Sequence, residues 1–323
     1  MFIGIVGTEC SGKSLVKHYL TSKGFVDLSL PNGPAHHPHS HSFPTPSAML
    51  DHATHNWRQS YVTTSLSTKA ALEPFMKRPF FLLLVVDAPL MLRWRRLRAK
   101  RPAGVGDLEA FLQRNDEFVY GPEGDGILSI PGVMHDIVRS FVHVSVVNAF
   151  ESVSALHSHL DSLNLQDQER LRPSWDSYFM TLAHLASLRS NCMKRRVGAL
   201  LVRSHRVIST GYNGTPRGLR NCNEGGCARC NGSARSGEAL DECLCLHAEE
   251  NALLEAGRER VGGGGGEGAV LYCNTCPCLR CSVKIVQTGV REVVYNLAYS
   301  MDEASARVFK EAGVALRQHC PPP

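Results

Sequence analysis

His247-Ala248-Glu249 and the later run Pro277-Cys278-Leu279-Arg280-Cys281 decide how this chain reads. Cys278 and Cys281 stand three residues apart at what reads as the start of a helix over 277–288. Both sulfurs then project from one face, and the helix N-terminus favours their thiolate forms. Pro277 fits the first turn of that helix, where a missing N–H costs nothing. His247 opens a second helix, 247–257, and supplies a third metal ligand, which leaves the fourth position of a tetrahedral zinc to water. Three protein ligands with one open position indicate a catalytic zinc; the competing reading is a structural Cys/His site beside an unrelated glutamate. Glu249 lies two residues beyond His247, about 200° around an ideal helix, so it does not share the ligand's direction and is free to move protons.

Working outward, Tyr178, Phe179, Leu182, Leu185, Ala186 and Leu188 recur at helical spacing over 175–189. Strands over 197–202 and 206–210 form a hairpin through Ser204-His205. After the helix at 247–257 come a strand at 269–273, the helix at 277–288, a strand at 292–295, a helix at 302–312 and a strand at 314–317. Five strands with interleaved helices predict an α/β domain over 172–323, a three-layer α/β/α sandwich on a five-stranded mixed sheet. The glycine run at 262–266 reads as a flexible connection, and the polar stretch at 166–173 as a linker.

The H-x-E and P-C-x-x-C pairing resembles the signature of zinc nucleobase deaminases, in which an activated water attacks C4 of cytosine and the glutamate shuttles protons to N3 and the departing ammonia. Ser174-Trp175-Asp176-Ser177-Tyr178-Phe179-Met180, Ser187-Leu188-Arg189-Ser190, Gly211-Tyr212-Asn213-Gly214-Thr215-Pro216-Arg217-Gly218 and Cys245-Leu246-His247-Ala248-Glu249-Glu250-Asn251-Ala252 resemble deoxycytidylate deaminases, the fungal form in particular. The likeness runs from about residue 172 to the end of the sequence. It implies a cytidine deaminase-like fold and conversion of dCMP to dUMP for thymidylate synthesis. It also implies zinc on His247, Cys278 and Cys281, Glu249 as proton shuttle, activation by dCTP, inhibition by dTTP, and a homohexamer. The resemblance sets Asn213 beside the deoxyribose, where its amide can meet sugar hydroxyls; a turn residue in Asn-Gly is the plainer reading. Arg189 is the choice for the 5′-phosphate, because a solvated helix end accounts equally well for Lys194, Arg195 and Arg196.

A second cysteine group, Cys222, Cys227 and Cys230 with Cys245 or Cys243 as fourth member, contains a C-x-x-C pair in a glycine-rich loop. We assign Cys222, Cys227, Cys230 and Cys245 to a structural zinc, against the alternative of free loop cysteines. Cys273 and Cys276 read as packing residues.

Residues 1–165 read as a separate parallel α/β domain. Gly7-Thr8-Glu9-Cys10-Ser11-Gly12-Lys13-Ser14 fits G-x-x-x-x-G-K-[ST] directly after an apolar strand, the setting that makes a P-loop credible. Gly7 and Gly12 shape the phosphate cradle, Lys13 meets the phosphates, Ser14 ligates Mg2+, and Asp87, ending a strand over 80–86, is the second acidic element. The domain resembles small P-loop kinases such as dephospho-coenzyme A kinase. The basic run Arg93, Arg95, Arg96, Arg98, Lys100 and Arg101 is either a lid over phosphates or a solvated helix face. No acceptor motif or catalytic base is evident, so a regulatory nucleotide-binding module, an active kinase and a non-binding remnant all stay open. His36, His37, His39 and His41 sit among prolines and serines and read as a disordered loop rather than a metal site.

With 323 residues, 43% apolar and 20% charged, the chain accommodates two packed cores, and a net charge of +5 suits small phosphorylated ligands. The N-terminus reads directly as a strand, with no basic n-region or cleavage site, and no apolar run reaches the roughly 20 residues needed to span a bilayer. Reduced thiols and a cytoplasmic location, with the nucleus also open, are therefore expected. A deaminase of tRNA or single-stranded nucleic acid is the runner-up, disfavoured by only 7% aromatic residues for base stacking. A nucleotide-binding regulator with a vestigial deaminase site is the alternative from a different class.

Overall fold

Phe-Ile-Gly-Ile-Val-Gly and Phe-Leu-Leu-Leu-Val-Val-Asp, at either side of a polar stretch, are apolar almost without interruption, the pattern of strands covered on both faces. A computed structural model describes residues 1–31, 41–101, 107–121, 132–235, 238–262, 268–298 and 303–321. The chain divides between Arg172 and Pro173 into two compact units.

The first unit holds strands β1 (Phe2–Gly7), β2 (Val26–Ser29), β3 (His41–Ser42), β4 (Tyr61–Thr63), β5 (Phe81–Asp87) and β6 (Val144–Val147). They form one sheet of order β3-β2-β4-β1-β5-β6 in which every pairing is parallel. Its helices are α1 (Lys13–Ser22), α2 (Pro46–His55), α3 (Lys69–Met76), α4 (Leu90–Lys100), α5 (Leu108–Tyr120), α6 (Val133–Phe141) and α7 (Val153–Leu163). Ile3, Ile5, Leu82 and Leu84 pack with Val16, Leu20, Leu156 and Leu160 of α1 and α7 on one face. Phe2, Phe81 and Leu83 pack with Met49, Phe75 and Ile137 of α2, α3 and α6 on the other. Alternation along each strand thus feeds two cores. Four of these strands are additions to the sequence reading; they are two to four residues long and carry too little pattern to stand out. His41 lies in β3, whereas His36, His37 and His39 fall outside the described residues.

The second unit contains α8 (Trp175–Ser187), β7 (Gly198–Arg203), β8 (Arg206–Tyr212), α9 (Ala228–Asn231), α10 (Ala248–Gly262), β9 (Val270–Thr275), α11 (Leu279–Thr288), β10 (Glu292–Leu297), α12 (Glu303–Glu311) and β11 (Ala315–Gln318). The five strands run in the order β11-β10-β9-β7-β8, parallel from β9 to β11 and antiparallel around β7. Ser204 and His205 link β7 to β8 with φ of 48° and 57°, the two left-handed residues that a type I′ hairpin turn demands. Leu200, Val202, Val270 and Tyr272 face Phe179, Met180 and Ala183 of α8. Ala199, Leu201, Leu271 and Val293 face Ala252, Ile285 and Phe309 of α10, α11 and α12. Helices therefore cover both faces of the mixed sheet.

Several helix bounds differ from the sequence reading, among them the two starts around His247 and Cys278. Cys278 is the N-cap of α11, so Pro277 stands outside the helix rather than in its first turn. His247 precedes α10, and that helix continues past Gly257, which breaks its geometry at φ 71°, to Gly262. The remainder of the glycine run, 263–266, lies outside the described residues. Gly211 lets β8 approach α10, because a Cβ there would sit 2.1 Å from the Ala248 carbonyl oxygen.

Candidate functional site

The start of α11 and the segment entering α10 meet at the C-terminal edge of β9. Nδ1 of His247 lies 3.4 Å from the Cys278 sulfur and 3.3 Å from the Cys281 sulfur. Ligands on one tetrahedral zinc, with Zn–S about 2.3 Å and Zn–N about 2.0–2.1 Å, stand about 3.5 Å apart, so these three atoms are already spaced as a ligand set. As N-cap and third helical residue, Cys278 and Cys281 share the positive end of α11. The hydrogen bond from Cys281 pulls the Cys278 thiol down to about 3, while Cys281 moves up through the same bond. The donor set fits zinc, whose binding takes both sulfurs as thiolates.

Glu249 is 3% exposed and faces the same cavity. Burial pushes its carboxyl above the usual range, opposed by nearby His247. The cavity measures about 350 Å³; His247, Cys278 and Glu249 line it together with Lys194, Arg195 and Arg229. Lys284 is ion-paired with Glu250 and ties α11 to α10.

Asn213 also lines this cavity and is buried. Its Oδ1 accepts hydrogen bonds from Ser190 Oγ at 2.6 Å and the Val197 amide at 2.8 Å, and its Nδ2 donates to the Arg195 carbonyl at 2.6 Å. One amide hydrogen is left to face a ligand. α8 stops at Ser187, and Arg189, chosen in the sequence for the 5′-phosphate, is exposed beyond its end and outside this cavity's lining. Lys194 and Arg195, set aside in the sequence as a solvated helix end, line the cavity instead. Arg229 was missed because it belongs to the cysteine-rich insertion, far from the catalytic motifs in sequence. Cys273 is buried in the core as expected of a packing residue, but Cys276 also lines the cavity.

The second cysteine group is larger than its sequence reading. Cys192 joins Cys222, Cys230 and Cys245 in one close set of four, and Cys227, Cys230, Cys243 and Cys245 form another. Cys222 and Cys227 fall in different sets, so the assigned foursome of Cys222, Cys227, Cys230 and Cys245 does not converge on one point. Cys192 went unnoticed because it arrives from the turn after α8, thirty residues before its first partner.

In the first unit, Gly7, Gly12, Lys13, Ser14 and Asp87 gather where β1 and β5 end, at the carboxyl edge of the parallel sheet. Gly12 has φ 104°, and a Cβ there would lie 2.3 Å from Asn148 Nδ2, so the loop requires glycine. Lys13 Nζ donates to the carbonyls of Gly7 and Thr8 at 2.6 Å each, and Thr8 Oγ1 donates to Asp87 at 2.6 Å. Arg93 and Arg96 turn inward from α4: Arg93 donates to Ala88 and Asn115, Arg96 to Asn148 and Phe150. Arg95, Arg98, Lys100 and Arg101 stay exposed. A cavity of about 420 Å³ beside the loop is lined by Lys13, Arg93, Arg114, Phe111 and Phe118. The sequence offered no acceptor pocket, because these residues come from separate helices.

Fold and site together define a zinc-binding deaminase unit, and residues 173–297 match the family described as the cytidine and deoxycytidylate deaminase zinc-binding region. The chain is 44% identical to the deoxycytidylate deaminase of Schizosaccharomyces pombe, covering 99% of this chain and 98% of that protein. It is 45% identical to that of Saccharomyces cerevisiae, covering 98% and 96%. A cyanophage S-TIM5 dCMP deaminase solved in complex with dCMP and dUMP is 30% identical, covering 46% of this chain and 98% of its own, with a TM-score of 0.36. The chain belongs to the deoxycytidylate deaminase family.

Proposed function

We propose that the second unit hydrolyses dCMP to dUMP and ammonia at the His247, Cys278 and Cys281 centre. The observation that carries this reading is a buried carboxyl, Glu249, facing one cavity with His247 and Cys278 of a zinc-spaced ligand triad. Zinc bound there supplies the Lewis acidity that makes water a nucleophile at neutral pH. Glu249 accepts the proton of the attacking water, delivers it to N3 of cytosine, and then assists loss of the C4 amine as ammonia. Burial suits this task, since it holds the carboxyl above its ordinary range and so favours taking up the proton it must carry. Asn213 directs its remaining amide hydrogen to the sugar, and Lys194, Arg195 and Arg229 receive the 5′-phosphate.

The reading extends to the first unit, where the P-loop and its neighbouring cavity bind a nucleotide phosphate with Mg2+ held at Ser14 and Asp87. It takes dCTP and dTTP as effectors and a homohexamer as the assembly, both implied by the family resemblance. Tyr178, Leu185, Leu188 and Met193, exposed on and just after α8, support a self-associating surface. Among the described residues no helix is long and apolar enough to cross a membrane.

The test is Glu249→Gln compared with the unaltered chain. Equal zinc at the deaminase centre with ammonia release abolished supports the assignment. Undiminished turnover by the variant overturns it.

A further inference from the structure

Six cysteines outside the deaminase centre pack their sulfurs together in the second unit. Cys192 comes from the turn after α8, Cys222, Cys227 and Cys230 from the insertion that includes α9, and Cys243 and Cys245 from the approach to α10. They make two mutually close foursomes, Cys192/Cys222/Cys230/Cys245 and Cys227/Cys230/Cys243/Cys245. From Cys230 the sulfurs of Cys192, Cys243 and Cys245 lie at 3.8, 3.5 and 3.9 Å. Two thiolates on one tetrahedral zinc, with Zn–S about 2.3 Å, stand about 3.8 Å apart, whereas a disulfide would need about 2.05 Å. The spacing is that of metal ligands, not of bridges.

Cys230 and Cys245 belong to both foursomes. Two separate four-sulfur sites would need eight cysteines, while six suffice when two are shared. We infer that this knot holds two zinc ions, with Cys230 and Cys245 bridging them, Cys192 and Cys222 completing one ion, and Cys227 and Cys243 completing the other. Each ligand enters as a thiolate, so the six thiol protons are released as the two ions bind. Six thiolates against two divalent cations leave the same net charge as an ordinary four-thiolate zinc site. A single ion would instead leave two sulfurs of the knot without metal, one of them buried and the other half-buried. The Met193 amide at 3.4 Å from the Cys222 sulfur, and Asn231 Nδ2 at 3.8 Å, supply the outer hydrogen bonds that thiolate ligands attract. Cys222, Cys227, Cys230 and Cys245 are all buried, as in a closed structural site. The pair also fixes a wall of the deaminase cavity, since Arg229 precedes Cys230 and Leu240 lies just ahead of Cys243.

The measurement is metal analysis of the full chain purified with its zinc, followed by 113Cd NMR of the cadmium-exchanged protein. Three zinc ions per chain are expected, with two all-sulfur cadmium resonances coupled to each other through the shared sulfurs. His247→Ala should remove one ion and leave the coupled pair intact, which separates this inference from the deamination reading: a chain silent on dCMP would still carry the pair. Cys192→Ser should abolish the coupling while one all-sulfur resonance remains; Cys230→Ser should perturb both. Two zinc ions per chain, or two all-sulfur resonances without coupling, would overturn the shared-thiolate site.

Discussion

Glu249 places a carboxyl where water is scarce, two residues from a ligand whose charge draws it the other way. Replacing it with glutamine keeps the shape and removes the proton carrier, so kcat should fall by at least about 10²-fold with zinc retained, measured by ammonia release beside metal analysis. A second outcome concerns the cations. Lys194→Ala with Arg195→Ala should raise KM for dCMP about tenfold or more while barely altering turnover of deoxycytidine, which lacks the phosphate; an equal loss on both substrates would place these residues elsewhere in the mechanism. At this scale the ligands and Glu249 were legible because short, local spacings encode them. Arg195 and Cys192 were not, because their roles arise only when the turn after α8 closes against segments far along the chain.

The elements that hold the site depend on a few long-range ties. Asp176, in the first turn of α8, accepts hydrogen bonds from Arg317 of β11 at 2.7 and 2.9 Å and from the Tyr272 hydroxyl of β9 at 2.8 Å. The Arg317 guanidinium, aided by Tyr272, holds this carboxyl below its ordinary value of 3.8. A depressed folded pKa means its stabilisation is present above that ordinary value and lost as pH falls through the lower folded one. Asp176→Asn should therefore destabilise the fold at pH 7 by roughly 1–2 kcal/mol after allowing for solvent screening, seen as a lower Tm, and the gap should begin to narrow only below about pH 4 and close below the lower folded value. Gly211→Ala should push α10 off β8 and cost both stability and activity, seen as a lower Tm with a lower kcat. Periodicity made the second unit's strands and its helices, the four-residue α9 excepted, readable to within a few residues. The helix starts around His247 and Cys278 shifted because capping, not apolar spacing, decides where a helix begins. In the first unit, β2, β3, β4 and β6 are too short for a pattern to declare them.

Across the whole molecule, the two yeast relatives align over both units, so a counterpart of the parallel α/β unit accompanies the deaminase unit in those proteins as well. If the loop cradles a nucleotide, Lys13→Ala should weaken binding of a magnesium-bound nucleoside triphosphate at least about tenfold by calorimetry, because Lys13 is the loop's charged contact to the phosphates. Unchanged binding would make the first unit something other than a phosphate site. The parallel sheet and its loop were visible in the sequence through two apolar strands and one glycine-rich turn. The cavity beside the loop was not, since Arg93, Arg114 and Phe118 share no local motif. The most direct test of the account is ammonia release by the zinc-loaded chain from dCMP, CMP, deoxycytidine and a short cytosine oligonucleotide. The account predicts strong preference for dCMP; turnover of the oligonucleotide alone, or silence on all four, would contradict it.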